Sequence, residues 1–155
     1  MLQSSILQHI NDAKQSHLHW IKRIEHLISG LPVDKTLITT DHTLCDLGKW
    51  INFEGLKLRS LEGVSNFINN LEQYHKQLHR EYMHIHNIYF ISPKQRSILY
   101  KIFTLGNDSI SKSEQKQAEE HLENIKHISE EILILFTILE ERIKNIPILK
   151  IDKIA

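Results

Sequence analysis

One stretch without glycine or proline, SKSEQKQAEEHLENIKHISEEILILFTILEERIKN from Ser111 to Asn145, decides the fold class. Its apolar side chains recur every three or four residues, which is the spacing of one face of an α-helix. Pro147 ends the segment. About 35 helical residues extend about 50 Å, longer than a compact bundle core requires. This length predicts that the apolar face can pair with a second copy of the chain or with a partner protein, unless a bend near Ser129 folds it back onto its own bundle. The predicted inward residues are Ala118, Leu122, Ile125, Ile128, Ile132, Leu135, Leu139 and Ile143.

The amino-terminal segment has the same helical periodicity. Gly30-Leu31-Pro32 is a strong stop signal, and the polar stretch from Asp34 to Thr40 predicts a connection. We therefore predict a long first helix that ends near residue 30. Its inward series comprises Ile6, Ile10, Ala13, His17, Ile21, Ile24, Ile28 and Leu31.

The middle of the chain contains shorter helical signals. A short helix is predicted to begin near Thr40 or Asp41, and Gly55 and Gly63 then indicate a loose segment. The residues that this short helix carries toward the bundle are Cys45, Leu47 and Trp50.

Two further helices precede the long last one. The first is predicted over roughly residues 66–91. The second begins at Ser92-Pro93-Lys94-Gln95, which combines a capping serine, a proline at the first helical position and a glutamine at the third. It ends near Gly106. The pattern predicts an all-α fold: an antiparallel four-helix-type bundle with short extra helices and a long C-terminal helix. We expect one domain over residues 1–146 and a tail over residues 147–155.

Charge and composition exclude several classes of function. The 155 residues suit a single domain, with 41% hydrophobic and 25% charged residues. Nineteen basic residues balance nineteen acidic ones, so the basic excess typical of proteins that bind nucleic acids is absent. We therefore expect no nucleic-acid partner.

The chain also lacks signals for export or membrane insertion. Its single cysteine cannot form an internal disulfide bond, and the amino terminus has neither a basic region nor an apolar region of the secretory type. The longest apolar stretch, Ile132 to Leu139, is far shorter than the ~20 residues that a spanning helix needs. These features predict a cytoplasmic protein with no membrane partner.

The cysteine, Cys45, lies in the run DHTLCDLGKW at residues 41–50, and a pair of histidines is placed to meet it. His75 and His79 are one turn apart, and a helical wheel places both at or beside the apolar face of their helix. His84 faces water on this wheel. His86 points inward but lies about 16 Å along the axis from His75, too far to share an ion on a straight helix.

A third histidine comes from the first helix. His17 occupies a position in the apolar series, whereas His19 is turned about 200° away. One thiolate and three imidazoles can complete a tetrahedral zinc shell. The candidate ligands are His17, Cys45, His75 and His79.

Ordinary packing explains each of these residues singly. A buried histidine is commonly a hydrogen-bonded core residue, and a cysteine is commonly a small apolar one. Near a helix amino terminus, however, the thiolate of Cys45 is favoured by the helix dipole. Gly48 leaves room for another backbone or side chain to approach closely, and we expect Trp50 to pack on the bundle.

These residues carry a family resemblance. His17-Leu18-His19-Trp20, then Cys45-Asp46-Leu47-Gly48-Lys49-Trp50, then His75-Lys76-Gln77-Leu78-His79 resemble, in this order, the motifs of the chemoreceptor zinc-binding domain. The motifs span residues 17–79. The resemblance implies that His17, Cys45, His75 and His79 bind zinc.

The resemblance also implies a biological role. Such domains sense zinc or oxidants in bacteria and are attached to chemoreceptors or to enzymes that make cyclic di-GMP. The layout is similar to the amino-terminal regulatory domain of the zinc-regulated diguanylate cyclase, which works as a homodimer. We therefore expect a non-catalytic regulatory domain that forms a homodimer. Because no catalytic domain accompanies the motifs in this sequence, a chemoreceptor or diguanylate cyclase would be a partner in trans, or the chain is a separated domain.

Two other classes of function stay open. Glu72-x-x-His75 and Glu81-x-x-His84 fit the spacing found in di-iron bundles, although both lie on one helix and His84 points outward. The other class is a metal-free helical interaction module in which the histidines are incidental.

Overall fold

The computed structural model describes residues 3–92 and 110–151, without the side chains of residues 149 and 150. The helix predicted from Ser92 to Gly106 lies, apart from Ser92 itself, outside the described residues. In the described part every regular element is helical, and the all-α prediction is confirmed. The α-helices are α1 (Gln3–Ile28), α2 (Asp46–Trp50), α3 (Leu56–Leu58), α4 (Ser65–His86), α5 (Lys112–Asn145) and α6 (Ile148–Ile151).

Short helical turns complete the described elements. A 3₁₀ turn, Lys35–Leu37, interrupts the connection after α1. A π-helical turn over Ile51–Gly55 joins α2 to α3 without a break, and another over Asn87–Ile91 extends α4.

Helix α5 is the long helix that the sequence predicts. It begins with a capping box, in which Ser111 Oγ accepts from Glu114 N and the Glu114 carboxylate accepts from Ser111 N. It continues without interruption through Ser129 to Asn145. Six of the eight predicted inward residues are buried, and the other two, Ile128 and Leu135, are half-buried and pack against the core. The observed series keeps a seven-residue repeat along one seam, as in coiled coils: Ala118, Leu122, Ile125, Ser129, Ile132, Phe136, Leu139 and Ile143.

Helices α1 and α4 both run antiparallel to α5. Near the start of α1, the side-chain amide of Gln3 donates to the carbonyl oxygen of Ile143, 2.7 Å away. Near its end, the side chain of Gln115 donates to the carbonyl oxygen of Ile28. Tyr89, just beyond α4, donates from its hydroxyl to the side chain of the same Gln115.

It follows that α1 and α4 run parallel to each other. The Trp20 ring on α1 packs against the His79 and Tyr82 rings on α4, at centroid distances of 4.7 and 5.2 Å. The segment between them, residues 29–64, returns the chain to the starting end and carries α2 across the bundle. Trp50 is buried against Phe136 of α5, as expected from the sequence.

Three local predictions need correction. Leu31 lies beyond the end of α1 and is 52% exposed, so it does not belong to the buried series. Helix α2 begins at Asp46 rather than near residue 40, because the Asp41 carboxylate accepts from Thr43 N and Thr43 Oγ1 and thereby forms a turn. Gly55 does not loosen the chain, since it continues the helical run from α2 into α3.

No helix in the described parts of the chain combines the length and apolar character needed to cross a membrane.

Candidate metal centre

Cys45 lies at the amino terminus of α2, where its sulfur serves as the helix cap. The backbone is extended at this residue, and Sγ accepts a hydrogen bond from Gly48 N at 3.3 Å. The thiol also lies 3.6 Å from the carbonyl oxygen of His42, to which it can donate. The sulfur is thus fixed by backbone groups of its own segment before any ligand is considered.

Gly48 permits this local geometry. A Cβ atom placed on Gly48 would overlap the His42 carbonyl oxygen and lie 2.9 Å from the carbonyl carbon. Both are backbone atoms, which cannot rotate away as a side chain can. The expected close approach at Gly48 is therefore confirmed, and the turn at residues 42–45 packs directly on the first turn of α2.

His75 and His79 project from α4 toward this sulfur. Both are buried, at 2% and 4% exposure, and their rings lie 4.7 Å apart in an edge-on arrangement. His75 Nε2 lies 3.1 Å from Cys45 Sγ. His79 Nδ1 donates to the carbonyl oxygen of Thr40 at 3.1 Å, so its Nε2 is the unprotonated nitrogen that can bind a metal.

His17 is also buried, at 3% exposure, as its place in the α1 series predicts. Its Nε2 is 2.8 Å from Ser129 Oγ on α5, which is buried as well. His17 is close enough for the charge of His79 to lower its pKa, and its own charge lowers the pKa of His75. It thus connects the vicinity of the site to the long helix.

Burial makes all three imidazoles neutral. It lowers the pKa of His17 to about 4, with a smaller contribution from the charge of His79. Burial likewise lowers the pKa of His79 to about 4. The pKa of His75 is lowered further, by burial first and by the positive charge of His79 second. A neutral imidazole is the form that binds a metal.

The pKa of Cys45 shifts in the opposite direction, so the thiolate that the sequence predicts at this helix terminus is not favoured in the metal-free site. Burial raises the pKa of its thiol, and the hydrogen bond from Gly48 N only partly offsets this. At neutral pH the metal-free site therefore holds a thiol and three neutral rings. A metal ion would have to displace the proton from the sulfur.

The arrangement of these donors fits a zinc ion. Cys45, His75 and His79 offer ligand atoms that lie within 4.8 Å of one another, and they are the one such group among the described residues. Sulfur and imidazole nitrogen are the donors that zinc prefers. His17 lies outside this group of three and is hydrogen-bonded to Ser129 instead.

The histidines that the helical wheels excluded are placed as expected. His19 and His84 are exposed. The His84 ring stacks on His121 at 4.4 Å, and His121 bonds to the Glu81 carboxylate at 2.7 Å. Glu72, the other carboxylate of the di-iron pattern, binds Arg59 and Lys76. These ion pairs do not support the di-iron alternative.

Sequence reasoning missed two residues next to the site. Ser129 was considered only as the position of a bend, although it is the buried partner of His17. His42 was not weighed at all, although its ring lies 6.2 Å from His75 and 6.3 Å from His79. Its position three residues before the cysteine was the only available signal.

We expect Ser129→Ala to destabilise the metal-free protein. The substitution leaves a buried His17 nitrogen without its partner, which costs about 1–3 kcal/mol. Urea unfolding in the presence of a chelator measures this loss. The matched control is Thr137→Ala, since Thr137 is an exposed residue on the same helix whose hydroxyl donates to the Leu133 carbonyl oxygen. Equal effects of the two substitutions would contradict the structural role of the His17–Ser129 bond.

Comparison with known proteins agrees with this geometry. Residues 17–85, somewhat less than half of the chain, match the family model described as the chemoreceptor zinc-binding domain. The matched segment begins at His17 and includes Cys45, His75 and His79. The resemblance stated from the motifs is therefore confirmed over this segment. No curated protein and no solved structure matches the chain.

Proposed function

We propose that this chain is a zinc-responsive regulatory domain in which His17, Cys45, His75 and His79 bind one zinc ion. The observation that carries the proposal is the group of three donors from α2 and α4 within 4.8 Å. The match to a zinc-binding family supports it. Zinc would supply a link between these side chains, and four protein ligands would leave no open position for activating a water molecule. We therefore propose a sensory role rather than a catalytic one.

The four side chains belong to three separate helical elements, which gives binding a structural consequence. Cys45 caps α2, His75 and His79 belong to α4, and His17 belongs to α1. Binding by all four favours the arrangement in which these elements are close together. The population shift cannot exceed the difference in zinc affinity between the two arrangements. His17 extends the effect to α5, because its partner Ser129 lies there.

A cleft beside the site supports a second signal, the oxidation of Cys45. It has a volume of about 340 Å³, and its walls include His17, Trp20 and Cys45 together with Arg23 and Lys49. Hydrogen peroxide that reaches Cys45 transfers one oxygen atom to the thiolate, giving a sulfenic acid and a hydroxide ion that is protonated to water. Losing the thiolate removes one of the four ligands. We propose that zinc level or cysteine oxidation thereby controls a bacterial output such as chemotaxis or cyclic di-GMP synthesis.

The outer face of α5 supports the proposed homodimer. Ile134 and Ile138 lie one turn apart there and are 52% and 41% exposed. A second copy of the chain would cover them. The receptor or cyclase that receives the signal would be a further partner, and we propose no partnership with nucleic acid or membrane.

Native mass spectrometry during a zinc titration tests this proposal directly. We expect one zinc ion per chain and a mass corresponding to two chains. Folded protein that stays free of zinc throughout the titration would overturn the zinc proposal. A mass of one chain in both zinc-free and zinc-saturated samples would overturn the proposed homodimer and leave the zinc proposal unaffected.

The pH dependence of zinc binding follows from the shifted pKa values. The histidines are already neutral above about pH 5, whereas the pKa of the Cys45 thiol is raised, so binding between pH 6 and 8 releases one proton. The apparent association constant should rise about tenfold per pH unit over this range. Competition with a chromophoric chelator at pH 6, 7 and 8 measures it. The residual zinc affinity of Cys45→Ala should not rise with pH in this way. An association constant of the wild type that stays the same between pH 6 and 8 would contradict the expected proton release.

A further inference from the structure

His42 lies beside His75 and His79, and the cleft that it lines is not the one that His17 lines. Its backbone is held in place by the close contact with Gly48 and by the Cys45 thiol at its carbonyl oxygen. Its half-buried ring is in edge-on contact with His75 at 6.2 Å and with His79 at 6.3 Å. An imidazole is thus held beside the site although the matched motifs assign it no role.

The two flanking histidines have different surroundings. His17 is 3% exposed, and its Nε2 is already bonded to Ser129. His42 instead lines a second cleft, with a volume of about 220 Å³, that also reaches His75. Glu72 and Lys76 lie along the same cleft, which places opposite charges at its walls. A metal ion can therefore be approached from the His42 side without displacing any part of α1.

We propose that His42 is an alternative fourth zinc ligand that takes the place of His17. Cys45, His75 and His79 bind the ion in both arrangements, and either His17 or His42 completes the four-coordinate shell that zinc adopts in such sites. This inference rests on the proposed zinc-binding function and deepens it.

The two arrangements differ in what they join together. With His17 as a ligand, the ion connects α1 to α2 and α4, and the ring must remain compatible with its bond to Ser129 on α5. With His42 as a ligand, the ion connects only α4 with α2 and the turn before it. Zinc can then be bound while α1 is released. Which of the two histidines binds therefore determines whether the zinc ion is connected to α1 and, through Ser129, to α5.

The test removes His17 and asks whether His42 replaces it. His17→Gln is the suitable background, because the glutamine amide can still bond to Ser129. Zinc affinity is measured by chelator competition, and Co²⁺ absorption reports both coordination number and thiolate ligation. We expect His17→Gln to lose roughly tenfold in zinc affinity while Co²⁺ stays four-coordinate and bound to sulfur. Adding His42→Ala should cost roughly a further 100-fold and change the Co²⁺ spectrum.

Controls separate this proposal from the zinc proposal itself. His17→Gln/His19→Ala removes an exposed histidine of α1 and should behave as His17→Gln alone. Circular dichroism of each variant verifies that the helices are retained, and His42→Gln replaces His42→Ala if they are not. If wild-type protein binds zinc but the His42 substitution changes neither affinity nor spectrum in the His17→Gln background, the alternative ligand is refuted and the zinc site stands. If wild-type protein binds no zinc, both proposals fail.

Discussion

Replacing Cys45 with serine should abolish tight zinc binding at neutral pH and leave the fold intact. A serine hydroxyl is a good helix cap, so it can accept the bond from Gly48 N that the sulfur accepts now. It does not ionise near neutral pH, and the site therefore loses its only anionic donor. We expect zinc affinity to fall at least about 100-fold, or about 2.7 kcal/mol. Chelator competition and native mass spectrometry measure the loss.

The matched control for this variant is His84→Ala. It removes an imidazole from α4, the helix that carries His75 and His79, but on the exposed side. Its zinc affinity should equal that of the wild type. If Cys45→Ser bound zinc within a few fold of the wild type, the thiolate would not be a ligand and the proposed site would be wrong.

Gly48→Ala should damage both stability and zinc binding. The new methyl group would overlap the backbone of His42, and the turn at residues 42–45 would have to move away from α2. Overpacking of this kind costs about 1–3 kcal/mol of the free energy of unfolding. Because the turn carries Cys45, we also expect zinc affinity to fall about 10- to 100-fold, as for other groups that orient metal ligands. Urea unfolding and chelator competition measure the two effects.

Gly55→Ala provides the internal comparison. Gly55 belongs to the same helical run, but a Cβ there meets its nearest atom, Ile68 Cγ2, at 3.4 Å, which is ordinary contact. Alanine also favours a helix over glycine by about 0.5–1 kcal/mol. Stability should therefore be unchanged or higher, with unchanged zinc affinity. Equal damage from both substitutions would show that the close approach at Gly48 is not the cause.

Periodicity predicted the parts of the site that depend on a single helix. The side-chain spacing of α1 and α4 was sufficient to place His17, His75 and His79 inside, and His19 and His84 outside. These assignments needed only the geometry of an isolated helix. They were reliable because each helix has one broad apolar face.

Features that depend on individual side-chain hydrogen bonds or on tertiary packing could not be predicted from apolar spacing. The Asp41 side chain forms a turn that delays the start of α2, and apolar spacing carries no information about such a bond. On α5, a spacing of three or four residues is met by Ile128 and Leu135 as well as by their neighbours, and packing along one seam buries Ser129 and Phe136. A serine can be buried on this seam because another helix supplies its hydrogen-bond partner, here His17.

The sulfur of Cys45 has a consequence for observing the protein in solution. The amide proton of Gly48 points at that sulfur, so its NMR resonance is a built-in reporter of the sulfur's chemical state. Metal ligation and oxidation change the electron density on sulfur in different ways, so the Gly48 amide proton should have a different chemical shift in each state. Glycine-selective isotope labelling would then report the state of the sulfur with no added dye.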